Sequence, residues 1–291
     1  MITERDLQVL QAVVHYYCLN RQQIQRLCFP EDSSGRVTRR RLSALVDANL
    51  LNRMKSQVYN LQAGSPSSVY YPAKRGNELM AEHFDDERLL LTPTQTPQTH
   101  HIFHWLAVAE THIALDQALE RQAVVKLDGW FNEWDTVNTE ESAPERRYRI
   151  YSLLRESPRL VCAHDAAFCL TVGQFSKVFY LEQDRNTSGV KQVAASKTPG
   201  YAVMESQQAQ QRHFPQAKSG GLSVLMVAPS PSRRDALRKA IKEKNGAALW
   251  KFVSVTDLSA ESFLFEPIWY SCTEGPSPLV KAQVLEASRS S

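Results

Sequence analysis

Residues 159–184 carry two apolar runs, RLVCAHDAAFCLTV and SKVFYLEQD, bounded by Gly173. Alternating or continuous apolar residues on either side of a turn former predict two adjacent strands joined as a hairpin. Further strands are expected at VVKLDGWFNEW upstream and at LSVLMVAP (222–229) and FVSVTDL downstream. Between them, residues from Gly189 to about Ala209 read as helical, with Pro199 an interruption. The run from Ser232 to Lys244 reads as a helix capped by Ser232. Strands interleaved with helices predict a mixed α/β unit with a sheet core and helices on its faces.

Three carboxylates sit where such strands should be apolar. Asp165 lies inside the first run, and Glu182 and Asp184 close the second. Burying ionised carboxylates costs several kcal/mol, roughly, unless a cation or donors compensate. Glu182 and Asp184 are two apart and share a strand face; with the strands paired, Asp165 would join them in a three-carboxylate cluster. Hard oxygen ligands of this kind suit Mg²⁺ or Mn²⁺, which would activate water for phosphodiester hydrolysis. Arg185, Lys191 or Lys197 would then offset the developing phosphate charge. The competing reading is a solvated strand end with its acids paired to Arg185 and Lys177.

The amino-terminal part has a different character. Residues 1–80 hold 11 Lys and Arg against 6 Asp and Glu, whereas the rest holds 23 against 25. A basic unit on a near-neutral body is the pattern of a DNA-reading module attached to something else. Thr3 can cap a first helix with its stripe at Leu7, Leu10, Val13 and Val14, and Asn20 a second with Ile24 and Leu27 inward. Ser34 can cap a third, in which Val37, Leu42, Leu45 and Val46 face the core, Arg36, Arg39 and Arg40 project outward, and Asn49 ends the helix. Two extended segments follow around the turn formers of QAGSPSS. Helix–helix–helix–hairpin predicts a winged helix-turn-helix, with the third helix in the major groove and Lys55 and the wing on the backbone.

Composition narrows the remainder. At 43% hydrophobic and 22% charged, the 291-residue chain is neither disordered nor collagen-like. Its net charge of +3 is not that of a strongly basic nucleic-acid binder as a whole. Five cysteines at wide spacing, none in a CxxC pair, suggest neither a disulfide framework nor structural zinc. No apolar stretch is long enough to span a bilayer and the charged start is unlike a secretory leader, so a cytoplasmic protein without a membrane is expected. The boundaries read as 1–84 for the DNA-binding unit, 85–99 for a Thr- and Pro-rich linker, 100–275 for the α/β unit and 276–291 for a flexible tail. A long helix opens the second unit from Thr99 to Gln122. His100, His101, His104 and His112 lie on or beside it and read as packed or surface side chains, because no completing ligand set is spaced with them. Trp130, Phe131 and Trp134 suit core packing or base stacking.

Several of these motifs together resemble the replication-relaxation family of plasmid and mobile-element proteins. They are HDAAFCL (164–170), FYLEQDRNT (179–187), Lys197 and Tyr201, with RLSALVDANLL, VYYPAKRGNEL, HWLAVAE and LSVLMVAPSPSRRDALR elsewhere. The resemblance spans roughly residues 1–270 as scattered motifs. It implies an α+β fold made of a winged helix and a restriction-endonuclease-like domain of the PD-(D/E)xK type. It also implies Asp165 and Glu182 as metal ligands for Mg²⁺ or Mn²⁺, with Glu110 as the helix carboxylate.

The sequence departs from that pattern where His164 replaces Pro and where Glu182–Gln183–Asp184 replaces ExK. A lysine from the next helix would have to serve, Lys197 first and Lys191 second. Tyr201 reads either as a nucleophile toward DNA or, since the three-histidine cluster of tyrosine relaxases is absent, as a packed hydrogen-bonding side chain. The expected activity is metal-dependent nicking of DNA. The alternative is a non-catalytic replication or regulatory factor on a degenerate nuclease-like scaffold. Expected partners are double-stranded DNA and other mobilisation or replication proteins, with a homodimer open.

Overall fold

A computed structural model describes residues 2–54, 68–217 and 221–281, without the side chains of Thr99 and His100. The chain divides into two compact units, residues 1–112 and 113–291, and the division falls within a long helix.

In the first unit, α1 (Glu4–Tyr16) starts at Thr3, whose hydroxyl accepts from the Asp6 amide while the Asp6 carboxylate accepts from the Thr3 amide. The same reciprocal cap, Asn20 with Gln23, opens α2 (Arg21–Cys28) after the short β1 (Leu19–Asn20). These are the two caps expected from sequence, and each satisfies amide donors that a helix start leaves bare. The third helix, α3 (Arg36–Asp47), differs from expectation at its start. Its N-cap is Gly35 in a left-handed conformation, and the anchoring side chain is Asp32, which accepts from the Thr38 amide at 2.7 Å and hydroxyl at 2.8 Å. Val37 is correspondingly 40% exposed, and Thr38 takes the inward position. Asn49 is left-handed, as anticipated for the end of this helix.

Next come β2 (Leu51–Met54), β3 (Val69–Pro72) and α4 (Lys74–Phe84). Among the described residues, the strands of this unit form an antiparallel sheet in the order β1-β3-β2. Lys55 and most of the expected turn between β2 and β3 lie outside the described residues.

Asp6 links the helices of this unit. Beyond its capping role, it accepts from Arg41 on α3, with Nε at 2.8 Å from Oδ1 and a second bond from Nη2. Burial opposes the charge of Asp6, but Arg41 and Thr3 outweigh it and hold the carboxyl below its usual range. Arg41 is thereby turned inward while Arg36, Arg39 and Arg40 stay exposed.

In α5 (Thr99–Glu120), Ile102, Val108 and Ala109, which belong to the first unit, and Ile113, Leu115 and Ala118, which belong to the second, are buried. The second unit continues with β4 (Val125–Asn132), α6 (Pro144–Arg147), β5 (Ser152–Arg155), β6 (Leu160–Cys162), β7 (Ala166–Val172), β8 (Phe175–Gln183), α7 (Val190–Ser206), α8 (Gln210–His213), β9 (Leu222–Ala228), α9 (Pro231–Ile241), β10 (Trp250–Ser254), β11 (Trp269–Tyr270) and β12 (Pro276–Ser277). Among the described residues its main sheet has seven strands in the order β12-β11-β10-β9-β8-β7-β4. The centre, β8-β9-β10, is parallel, and antiparallel pairs flank it.

The expected hairpin is β7–β8, with Val172 paired to Phe175 and Gly173 at φ 57° in the turn. The run expected as one strand over 159–172 instead breaks before Asp165. Its first part is β6, paired with β5 in a separate small sheet. The C-terminal helix is capped by Ser230 rather than Ser232, with Pro231 in its first turn.

Alternation along the strands sorts the side chains into two faces. Ala167, Cys169, Val178, Tyr180, Val224, Met226, Trp250 and Phe252 share a core with Ala194, Tyr201 and Met204 of α7 and Leu237 and Ile241 of α9. On the other face, Trp130, Phe168 and Phe179 stack across three neighbouring strands with centroids 5.3 Å apart at each step. Trp130 is therefore a packing residue, and Phe131 packs against Phe214 at 5.0 Å.

Replacing Asp6 with Asn removes a buried charge partner of Arg41 and is expected to cost about 2 kcal/mol. Amide exchange in α1 and α3 should then accelerate roughly thirtyfold; wild-type exchange rates there would contradict the role given to Asp6.

Candidate acid–lysine site

Helix α7 approaches the small β5–β6 sheet closely at Gly200, where an added Cβ would lie 3.0 Å from the Cys162 sulfur and 3.3 Å from the Val161 carbonyl. This approach carries Lys197 and Tyr201, one helical turn apart, to the end of β8. There the Lys197 ammonium sits 2.6 Å from Glu182 Oε2 and donates to the Ala163 carbonyl at 3.2 Å. The Tyr201 hydroxyl donates to Glu182 Oε1 at 2.6 Å. Since that proton goes to Glu182, the Tyr201 oxygen is left to accept from His164 Nδ1 at 2.7 Å. His164 Nε2 is then a buried acceptor with no hydrogen-bond partner among the described residues.

Asp165 lies just before β7, and its Oδ2 accepts from the Gln183 amide at 2.6 Å. Its backbone is fixed on both sides, because the amide donates to the Leu181 carbonyl and the carbonyl accepts from the Glu133 amide. Asp165 and Glu182 thus close adjacent ends of β7 and β8, as the hairpin register requires.

Electrostatics explain the arrangement. Glu182 is only 3% exposed, and burial pushes its carboxyl up to about 7, with Lys197 pulling it down and Asp165 pushing it further up. Burial also works against the Lys197 ammonium, yet Glu182 and Asp165 outweigh it and hold lysine more firmly protonated than usual. The ammonium contacts Glu182, and the charge of Asp165 adds to its stabilisation from nearby.

A second buried chain lies alongside. Tyr180 and His213 Nδ1 are 2.7 Å apart, and His213 Nε2 is 3.1 Å from the Ser152 hydroxyl. Burial, with help from Arg212 and Arg149, lowers His213 to about 3. Burial likewise holds His164 well below the ordinary histidine range, with His213 and Lys197 adding to the effect.

The other expected site residues sit elsewhere. Asp184 is paired with Arg233 on α9, with Nε at 2.7 Å and Nη2 at 3.0 Å, and the same guanidinium holds the Ser188 carbonyl. Among the described residues, Asp165, Glu182 and Asp184 do not converge as a three-ligand group. The expected cluster of three is a pair, because Asp184 lies past the last residue of β8 and meets the first turn of α9. Glu110 belongs to the first unit, where it accepts from Gln23 and from Arg26 of α2. Lys191 is exposed in the first turn of α7. His101 stacks on Trp105 at 5.5 Å, and His112 is buried against the rings of His15 and Tyr16. Sequence reading missed the structural partnership of His164, His213 and Tyr180. The signal was weak: Tyr180 stands in an otherwise apolar strand, while His164 lies between β6 and β7 and His213 on α8.

The second unit is a mixed α/β unit with the Glu182–Lys197 pair at the end of β8. A family model described as replication-relaxation matches residues 10–216. The chain belongs to the replication-relaxation family, which gives it a replication- or mobilisation-related role involving DNA. No curated protein and no solved structure matches the chain significantly. Among the described residues no helix is long and apolar enough to cross a membrane.

Between about pH 6.5 and pH 4 the unfolded chain binds a proton at residue 213 that the native state refuses, so acid removes stability there. His213→Gln should reduce the slope of unfolding free energy against pH by about 1.4 kcal/mol per pH unit over that window. Identical slopes for the two proteins in denaturant titrations would contradict the buried neutral histidine.

Proposed function

We propose that this protein binds duplex DNA through its first unit and nicks it by metal-assisted phosphodiester hydrolysis in its second. The observation that carries the reading is the placement of Lys197 on Glu182, with Asp165 at the neighbouring strand end. The arrangement supports a likeness to the acid–acid–lysine set of PD-(D/E)xK nucleases, with the lysine supplied from α7 instead of from two positions after the glutamate.

The donor set suits a hard divalent cation. The two side chains offer hard carboxylate oxygens at adjacent strand ends, and Mg²⁺ commonly binds through one or two carboxylates with the rest of its shell as water. Asp165 and Glu182 would hold Mg²⁺ or Mn²⁺, and the ion, when bound, supplies a more acidic water and neutralises charge on the phosphate. The chain's own groups do the rest. Asp165, fixed by the Gln183 amide, and Glu182, fixed by Tyr201, set the ligand positions. Lys197 donates to a non-bridging phosphate oxygen as negative charge develops during attack. Tyr201 is buried and spent on Glu182 and His164, so its role is to hold Glu182 and not to attack DNA.

For the first unit, the order of α1, β1, α2, α3, β2 and β3 and the β1-β3-β2 sheet support a winged helix-turn-helix reading. Exposed Arg36, Arg39 and Arg40 would meet the duplex from α3, and Lys55 would add a backbone contact. The alternative, a non-catalytic DNA-binding factor, draws on a specific observation too: both Glu182 oxygens are already occupied, by Lys197 and Tyr201.

Supercoiled plasmid incubated with Mg²⁺ or Mn²⁺ separates these readings. The wild type should give nicked circles only with metal, and Asp165→Ala and Glu182→Gln should each lower the rate by about a hundredfold or more. Absence of cleavage with any metal would leave the non-catalytic reading. Replacing Arg39 and Arg40 together with Ala should flatten the dependence of log affinity on log salt by about two, and an unchanged slope would remove α3 from the DNA interface.

A further inference from the structure

The two oxygens of Glu182 are held in unlike ways. Oε1 accepts from Tyr201, which is fully buried and itself braced by His164. Oε2 accepts from Lys197, whose side chain is 34% exposed and which also donates a 3.2 Å bond to the Ala163 carbonyl. Tyr201 cannot leave without opening a cavity in the core it shares with Tyr180 and Trp250. Lys197, on a flexible four-carbon stem at the solvent boundary, can swing without disturbing that core. One side of the carboxylate is thus clamped and the other carries a cation able to move.

We propose that Lys197 is the resident counter-ion of the Glu182–Asp165 pair, occupying Glu182 Oε2 in the metal-free protein and giving it up to an entering divalent cation. The proposal rests on the metal-assisted reading and deepens it. A divalent ion at the pair and an ammonium 2.6 Å from one of its oxygens compete for the same negative charge. The displaced ammonium remains tethered beside the pair, where the phosphodiester of a DNA substrate offers it non-bridging oxygens. The same lysine would thus neutralise the empty site and then the substrate. The pairing also offers a reason why the lysine can come from a helix one element later than in the ExK arrangement. Its duty in the metal-free state requires contact with Glu182, which α7 delivers through its close approach at Gly200.

The test measures Mn²⁺ binding to the full chain by electron paramagnetic resonance, without DNA, and reads Mn²⁺-induced thermal stabilisation in parallel. Lys197→Met removes the competitor and keeps the apolar stem, so Mn²⁺ affinity should rise about tenfold or more, with a larger stabilisation by Mn²⁺ than in the wild type. Lys197→Arg keeps the charge and is the safer variant for folding. Its planar fork grips a carboxylate through two bonds, so Mn²⁺ affinity should fall several-fold. Wild-type binding that Asp165→Ala abolishes, combined with unchanged or weaker binding in Lys197→Met, or unchanged or tighter binding in Lys197→Arg, would overturn the exchange while sparing the metal site. Absence of Mn²⁺ binding in wild type and Lys197→Met alike would overturn both the exchange and the metal-assisted reading beneath it.

Discussion

The ion pair between Lys197 and Glu182 is the contact around which the site end of the second unit is organised. A carboxylate on a central strand, covered by a helix, costs too much to bury alone, and the ammonium makes its burial tolerable. Geometry follows from that requirement. Helix α7 must come close enough for residue 197 to reach the end of β8, which Gly200 permits by bringing the helix against β6. Tyr201, one turn further on, then falls beside the other oxygen. His164 completes the chain from the residue next to Asp165.

The two ion pairs at this end of the sheet do different work. Asp184 and Arg233 meet through two bonds, with both side chains mostly covered, and a third bond to the Ser188 carbonyl ties down the loop after β8. Such a fork-to-carboxylate pair is a structural tie between a strand end and the first turn of α9. Lys197 and Glu182 share one bond and a partly open lysine. The first pair fixes the frame, and the second retains a cation that can be redirected. In the first unit, Asp6 has an organising role of its own, capping α1 and holding Arg41 of α3 inward while the neighbouring arginines remain outside.

Much of this was legible in the sequence, for reasons that differ by element. The caps at Thr3 and Asn20 are local chemistry, readable from a few residues, and so are the β7–β8 hairpin with its glycine and the outward arginines of α3. The choice of Lys197 over Lys191 came from the family resemblance, and the structure places Lys197 on Glu182. What could not be read depends on partners distant in sequence. Asp184 meets Arg233 because α9 starts over that strand end, and Glu110 meets Gln23 and Arg26 because the long helix α5 belongs in part to the first unit. Neither fact has a local signature. The break before Asp165 was hidden as well, since β6 and β7 together look like one apolar run. At the start of α3, Ser34 and Asp32 share the work: Ser34 accepts from the Arg36 amide and Asp32 from the Thr38 amide, with Gly35 rather than Ser34 at the N-cap.

The central claim is that Asp165 and Glu182 form a cation site from which Lys197 withdraws. A crystal of the full chain grown or soaked with Mn²⁺ and examined at the manganese absorption edge addresses it directly. An anomalous peak shared by the Asp165 and Glu182 carboxylates is expected, with the Lys197 ammonium no longer on Glu182 and the Tyr201 bond intact. A Mn²⁺-saturated crystal without density there, and with Lys197 still seated on Glu182, would contradict it.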